Sequence, residues 1–321
     1  MPERDSLLKD YMSNKTVFAD VFNFMIYEGE QVLKPENLST LSPETVVLQD
    51  AEDGKLIPSH RIRDLLMAAT IMTDGHVAYA ALGIENQTQV DAAMPARNMH
   101  YDSSYYMLQV EEMAAARRAK SEKPTKGKFS SKFRRGDLLI PTVTATLFFS
   151  PERWTGPRTL YDMFGYVDPR LKRFLPNYSA NIIVPAELEE RDFRKMTTEL
   201  RLLLEGVKYS KDQKLFRELI QNNPLFESVP ARTAKVLRAL LKIKLTIPKN
   251  EESVNMCKAI EDMVAEGREE GREEGREEGR EEERAKTFKL LSGLVSDGFL
   301  PLEEAAKRVG VSVAEFQSMT A

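Results

Sequence analysis

The chain has 321 residues, 42% hydrophobic and 30% charged, which is enough apolar material for one large domain with an accessory part or for two modest domains. Its formal net charge of −4 does not by itself indicate a nucleic-acid partner. The single cysteine, Cys257, excludes an intramolecular disulfide and, with only three histidines, argues against a structural zinc site. Because there is no secretory segment near Met1 and no long apolar run, we expect a cytoplasmic protein that does not enter membranes.

The first predicted element is a helix that begins after Ser13-Asn14, a pair suited to capping a helix N-terminus. Apolar residues over 17–25 recur at helical spacing, and Gly29 is predicted to end the helix. Residues 45–49 then predict a strand that leads into a loop.

A β-hairpin is predicted next, because Asp74-Gly75 separates two apolar runs at 61–73 and 76–87. This dipeptide favours a two-residue turn in which both central residues have positive φ. Such a turn pairs residue 73 with residue 76, so that the two numbers in every cross-strand pair sum to 149.

The register of this hairpin places Asp64 directly opposite Glu85, with Cβ atoms roughly 4.5–5.5 Å apart. Gln87 lies two residues further on and shares the face of Glu85. Two opposed carboxylates repel each other, and a hard divalent cation such as Mg²⁺ removes that repulsion. The alternatives are a register shifted by a residue or two, or one carboxylate solvated at a strand end.

A helix is predicted from Met94 to about Lys120, followed by a strongly basic segment over 117–135. That segment carries nine Lys or Arg and one Glu, a local net charge of +8, and its Pro and Gly residues favour a loop. Clustered cations of this kind suit phosphate contacts, and an ordinary solvated loop is the alternative. The cations considered for nucleic-acid contact are Lys126, Lys128, Lys132, Arg134 and Arg135.

Strands are predicted over 138–149 and 179–184, followed by mostly helical sequence from 188 to about 244. Strands in the first half and helices afterwards predict an α/β or α+β domain over 1–246 with a helical C-terminal part.

The stretch 247–284 is predicted to be a linker and a charged repeat, with four copies of Gly-Arg-Glu-Glu over 267–282. Ion pairs such as Glu269 with Arg272 favour a helix by roughly 0.2–0.5 kcal/mol each, whereas each Gly costs roughly 1 kcal/mol against Ala. We interpret the repeat as a solvated tether, with helix pairing along the Gly positions as the alternative. Residues 285–321 show the order helix, Gly turn, helix, which is typical of a helix-turn-helix. A helical hairpin that contacts another protein agrees equally well with this order.

Several segments, taken in this order, resemble the PD-(D/E)XK nuclease superfamily and, within it, the recombination-promoting, transposase-like nuclease family of bacteria. The residues that carry the resemblance are 18–23, 61–65, 84–87, 94–97 with Tyr101, and the strand over 141–149 that leads to Trp154. The resemblance implies a restriction-endonuclease-like core, with a mixed central sheet flanked by helices, and a helical C-terminal extension. It implies a DNA endonuclease that uses Mg²⁺, or Mn²⁺ as a substitute, in recombination, transposition or defence against mobile elements.

Carried over residue by residue, the resemblance makes Asp64 and Glu85 the metal-binding acids. The backbone carbonyl of Asn86 is a further ligand. Gln87 stands where the superfamily usually has lysine, so it can orient a water but supplies no positive charge. Asp20 is the preferred acid of the first helix, and Glu28 is the alternative. The resemblance also implies that Arg97 and Tyr101 hold a neighbouring backbone phosphate.

Two other functional classes remain open at this stage. In the first, Gln87 marks a weakened site, and the chain is a DNA- or protein-binding module on a nuclease scaffold. In the second, the charged repeat at 267–284 makes the chain a homo-oligomeric scaffold.

Overall fold

The computed structural model describes residues 2–42, 44–50, 56–73, 75–120, 133–243, 245–247 and 251–320. The chain divides into two compact units, Met1–Cys257 and Lys258–Ala321. Within the described ranges, no helix has the length and apolar content needed to cross a membrane.

The described strands of the first unit are β1 Leu38–Thr40, β2 Glu44–Asp50, β3 Leu56–Ile62, β4 Leu65–Thr73, β5 His76–Gln87, β6 Thr142–Phe148, β7 Asn181–Ile183, β8 Val229–Pro230 and β9 Ser253–Val254. Five of them form a mixed sheet in the order β1-β4-β5-β6-β7. Strands β1, β4 and β5 pair antiparallel, whereas β5, β6 and β7 run parallel. Two further antiparallel pairs, β2-β3 and β8-β9, lie outside this sheet.

Helices flank the sheet and make up most of the chain after β7. The α-helices are α1 Pro2–Ser13, α2 Lys15–Tyr27, α3 Met94–Ala119, α4 Pro169–Lys172, α5 Glu190–Phe193, α6 Leu200–Tyr209, α7 Gln213–Asn222, α8 Ala231–Leu241, α9 Met256–Ser296, α10 Leu302–Val309 and α11 Val313–Thr320. Short 3-10 turns occur at Pro35–Asn37, Leu160–Met163, Pro185–Glu187 and Pro224–Ser228. The predicted α/β architecture with a helical C-terminal part is confirmed at this level.

The hairpin register is confirmed, because Thr73 pairs with His76 and Leu65 pairs with Ile84, each pair summing to 149. Gly75 has a positive φ of 75°, as the turn requires, and Asp74 lies outside the described residues. The predicted start of the first strand at residue 61 is wrong. Residues 61–62 belong to β3, which pairs with β2, and the chain leaves that pairing at Arg63 before β4 begins.

The first helix of the sequence prediction is α2, and the side-chain oxygen of Asn14 caps it by accepting hydrogen bonds from the backbone N–H groups of Thr16 and Val17. Its Phe18 and Phe22 are fully buried and their rings lie 5.1 Å apart. Helix α1 was not predicted, although Leu8, Tyr11 and Met12 at helical spacing are its buried residues. Helix α1 contacts β4 and β5, so it covers the strands that carry the carboxylate pair.

The repeat over 267–282, interpreted from the sequence as a solvated tether, lies within the single continuous helix α9. Residues 271–287 are exposed on every side, and Arg272 pairs with Glu269 at 3.1 Å as the spacing predicts. A helix that is polar all round gains nothing from burial, and ion pairs along its surface favour it instead. In the second unit, the end of α9 packs with α10 and α11 around Leu291, Ala305, Ala306 and Phe316.

Candidate functional site: a carboxylate pair at the end of the hairpin

Asp64 and Glu85 lie one residue beyond Leu65–Ile84, the last ladder pair of β4 and β5, where hydrogen bonds between side chains and backbone join the two segments. The backbone N–H of Asp64 donates to Oε1 of Glu85 at 3.3 Å. The backbone N–H of Asn86 donates to Oδ2 of Asp64 at 2.8 Å. Each carboxylate therefore accepts one backbone hydrogen bond from the opposite strand, which fixes both side chains at the strand ends.

Burial leaves this pair poorly solvated, and it changes the acidity of both groups. Glu85 is only 2% exposed, and its pKa is raised to about 7 by burial first and by the nearby Asp64 charge second. The pKa of Asp64 is also raised, chiefly by burial, although the hydrogen bond from Asn86 opposes the shift. Two carboxylates in this state readily hold a proton or a cation between them.

Arg97 and Tyr101 lie one helical turn apart near the start of α3, where Arg97 contacts the carboxylate pair and Tyr101 is buried beside Arg97. Nη2 of Arg97 lies 3.4 Å from Oε2 of Glu85 and donates to the hydroxyl of Tyr101 at 3.3 Å. Nη1 of the same guanidinium donates to Oδ2 of Asp91 at 2.5 Å. Asp91 therefore lies closer to the guanidinium of Arg97 than Glu85 does. The sequence did not predict Asp91 as part of the site.

A cavity of about 320 Å³ opens over the pair. Gln87 lies in its lining, as do Asn86 and the loop residues Thr88 and Gln89. Helix α1 adds Arg4 and Asp5, two residues that the sequence analysis missed together with their helix. Arg4 donates to the hydroxyl of Thr88 at 2.9 Å, which ties α1 to the end of β5. The spacing of the buried α1 residues was the signal that would have placed these two side chains.

A buried ion pair between Arg63 and Asp102 joins the segment that precedes β4 to helix α3. Nη2 of Arg63, the residue before Asp64, lies 2.9 Å from Oδ1 of Asp102. Asp102 also accepts hydrogen bonds from the hydroxyls of Thr144 and Tyr178, each at 2.6 Å. Arg63 packs against Gly83, where any side chain would collide with the guanidinium. The network therefore holds Asp64 in place through its chain neighbour.

Asp20 is not part of this cavity lining, which corrects the preferred first-helix acid. Its buried carboxylate accepts hydrogen bonds from the backbone N–H groups and from the hydroxyls of Thr197 and Thr198. Those two residues precede α6, so Asp20 joins α2 to the helical part of the first unit. A carboxylate with this many donors is occupied as a structural acceptor.

Of the basic residues predicted to contact nucleic acid, Lys126, Lys128 and Lys132 lie outside the described residues. Arg134 and Arg135 are exposed. Asp137 accepts a hydrogen bond from the backbone N–H of Arg134 at 2.7 Å and pairs with Arg117 at the end of α3. Asp137 therefore binds the guanidinium of Arg117 and the backbone of Arg134.

The donor set at Asp64 and Glu85 fits a hard, oxygen-seeking cation. Mg²⁺ is typically held by one or two carboxylates with water and substrate phosphate completing its coordination. Both amide atoms of the Asn86 side chain are buried next to the pair without a hydrogen-bond partner in the described part of the chain. Among the described residues there is no group of three or more His, Cys, Asp or Glu side chains suited to a metal, so a site built wholly from protein ligands is not seen there.

No protein-family model matches the chain, and comparisons with curated proteins and with solved structures give no similar protein. Any assignment of function therefore depends on the chemistry of the residues around Asp64 and Glu85.

Proposed function

We propose that this chain is a Mg²⁺-dependent DNA endonuclease of the PD-(D/E)XK type, with Asp64 and Glu85 as its metal-binding acids. The observation that carries the proposal is the buried pair itself, in which both carboxylates have raised pKa values and face a polar cavity. A pair arranged in this way costs stability unless a cation or proton compensates it. Metal binding for function is one reason why a protein would keep a carboxylate pair that lowers its stability.

The residues around the cavity have separate tasks in this proposal. Asp64 and Glu85 would hold the metal ion, which when bound polarises a phosphate oxygen and lowers the pKa of a water. Gln87 orients the attacking water by hydrogen bonding, since an amide can donate and accept but cannot take up its proton. Arg97 binds the phosphate oxygens with its planar, permanently charged guanidinium. Tyr101 donates its hydroxyl to the same phosphate or keeps Arg97 in position.

DNA binding outside the cavity is proposed to be independent of base sequence. The nine cations of the 117–135 segment suit the phosphate backbone, and such contacts weaken as salt rises. We therefore expect little sequence specificity.

The first prediction is that the protein relaxes or linearises supercoiled plasmid in Mg²⁺ or Mn²⁺ and that Asp64→Ala does not. Removal of one of two metal-binding carboxylates is expected to lower the rate by about 100-fold or more, since a bound metal supplies several kcal/mol of transition-state stabilisation. The measurement is agarose-gel quantification of each plasmid form over time. Glu218→Ala, which changes an exposed glutamate on α7, is the matched control and should cut as the wild type does. Equal cutting by Asp64→Ala and wild type would remove Asp64 from the site.

The second prediction concerns pH. Because Glu85 has a pKa of about 7 and must be ionised to bind a metal, Mg²⁺ affinity should rise between pH 6 and pH 8 by about tenfold. Isothermal titration calorimetry at the two pH values measures the change, and proton release on binding should accompany it at pH 6. An affinity that is the same at both values would show that Glu85 is not a ligand.

The alternative function is a binding module on a nuclease scaffold, and one contact favours it. The guanidinium of Arg97 already lies beside Glu85 and offsets its charge without a metal. Gln87 also lacks the positive charge of the lysine expected at this position. A folded protein that binds DNA but yields no product in Mg²⁺ or Mn²⁺ would establish this alternative.

A further inference from the structure

Between β6 and β7 the chain forms an excursion over Leu160–Tyr178 whose two ends are held together. The backbone N–H of Leu160 donates to the carbonyl of Tyr178 at 2.9 Å, and that of Ala180 donates to the carbonyl of Arg158 at 2.8 Å. The hydroxyl of Tyr178 also binds Asp102, so the base is fixed to α3. The excursion is therefore a closed surface loop that projects from a rigid base.

The interior of the excursion is held by its own hydrogen bonds. The hydroxyl of Tyr161 donates to the carbonyls of Lys172 and Leu175, at 3.0 and 2.7 Å. The side chain of Asp162 accepts from the backbone N–H groups of Arg158 and Thr159, at 3.0 and 2.8 Å. The loop therefore has a defined shape before any partner binds, which lowers the entropic cost of binding.

Large apolar side chains cover the outer surface of this loop instead of its interior. Tyr166 is 92% exposed and Phe174 is 71% exposed. Met163, Phe164 and Leu171 are also exposed large side chains of the same loop. Scattered single exposures need no explanation, but several within one short, ordered segment indicate an interaction surface.

The charges on this surface are unbalanced in favour of cations. Of the two aspartates, Asp162 is used by backbone donors and Asp168 pairs with Arg170 at 2.9 Å. Lys172 and Arg173 form no ion pair with a carboxylate in the described part of the chain. Nζ of Lys172 lies 4.7 Å from the ring centre of Tyr161, and the guanidinium of Arg173 lies 4.9 Å from that of Phe174.

We propose that this ring-and-cation surface, formed by Tyr166, Leu171, Lys172, Arg173 and Phe174, binds single-stranded DNA. Exposed rings accept the flat faces of unpaired bases, and adjacent cations bind the phosphates that join them. A duplex hides its base faces in its own stack, so the surface discriminates in favour of unpaired strands. The choice of DNA over RNA rests on the proposed function, whereas the binding itself requires no cleavage.

The test is fluorescence anisotropy with a labelled single-stranded DNA oligonucleotide in a chelating buffer, where no metal-dependent cutting occurs. The double variant Tyr166→Ala/Phe174→Ala should bind about 10-fold more weakly for each ring removed. Lys172→Ala/Arg173→Ala should also bind more weakly and should show a smaller salt dependence. Tyr166→Phe, which keeps the ring, should bind as the wild type does.

Tyr79→Ala is the matched control, because Tyr79 is an aromatic residue of β5 with 58% exposure and lies outside the excursion. Circular dichroism of each variant verifies folding. Wild-type affinity in the folded double variant would overturn the proposal, as would an equal loss for duplex and single-stranded DNA. Tighter binding of an RNA of the same sequence would overturn the assignment to DNA. Glu218→Ala, which changes an exposed glutamate on α7, should bind like the wild type. Because the binding assay contains no metal and measures no cleavage, failure of the nuclease proposal would not change its outcome.

Discussion

Replacement of Glu85 by glutamine is expected to make the protein more stable at neutral pH and to slow DNA cleavage strongly. The pKa of Glu85 is about 7 in the folded protein, against an ordinary value of 4.5, so folding favours the protonated side chain. Below pH 4.5 the group is neutral in both states and carries no penalty. As pH rises from 4.5 to 7, the unfolded chain releases the proton first and the folded state loses stability.

Glutamine cannot ionise, so the variant should lack this loss and should gain about 1–3 kcal/mol at pH 8 over the wild type. Its contact with Arg97 becomes weaker, which keeps the gain below the full linkage value. Urea unfolding in a chelating buffer at pH 4 and pH 8 measures the difference, and the two proteins should be nearly equal at the lower pH. Cleavage should fall by about 100- to 1000-fold, because the loss of a metal ligand costs several kcal/mol of transition-state stabilisation.

The matched control is Glu205→Gln, because Glu205 is also buried and has a raised pKa, but lies on α6 beside Arg201 and Asn223. It should retain full plasmid cleavage. Mg²⁺ should raise the unfolding midpoint of Glu205→Gln and of the wild type but not that of Glu85→Gln. Stabilisation without loss of cleavage would mean that Glu85 is a strained residue with no catalytic task.

Asp102→Ala should cause the largest loss of stability among single changes near the site. The side chains of Arg63 and Asp102 are only 3% and 8% exposed, and removal of one partner leaves a buried charge uncompensated. Such losses cost about 3–5 kcal/mol, and here the hydroxyls of Thr144 and Tyr178 lose their acceptor as well. Because Arg63 precedes Asp64, Mg²⁺ affinity should fall in the same variant.

Urea unfolding of Asp102→Ala measures the first effect, and calorimetric Mg²⁺ titration below the unfolding transition measures the second. Glu218→Ala breaks an exposed pair with Lys214 and should leave both quantities unchanged, since exposed ion pairs contribute little. Asp102→Asn keeps the acceptor for Tyr178 and should recover part of the stability. A change in the midpoint of Asp102→Ala no larger than that of the control would show that the buried network is not a stabilising support.

The sequence by itself was sufficient wherever a local rule fixes the geometry. The Asp74-Gly75 dipeptide set the hairpin register, and side-chain alternation in a strand then placed Asp64 beside Glu85 with Gln87 next along the face. The existence of helix α3 followed from its sequence pattern and Pro95, whereas the place of Arg97 beside Glu85 was expected only from the family resemblance. Each of these outcomes depends either on contacts between residues that are about 20 positions apart or fewer in the sequence, or on the periodicity of a single helix or strand.

Only the tertiary structure decided what lies around that pair. Arg4 and Asp5 reach the cavity because α1 packs on β4 and β5, a contact between distant segments that no local pattern encodes. Asp20 is an acidic residue of the first predicted helix, and on that ground the sequence favoured it as a site residue. In the fold, Thr197 and Thr198 donate hydrogen bonds to its carboxylate, so Asp20 is a structural acceptor. The raised pKa of Glu85 likewise arises from burial by the assembled fold, because desolvation depends on every neighbour at once and not on the sequence around one residue.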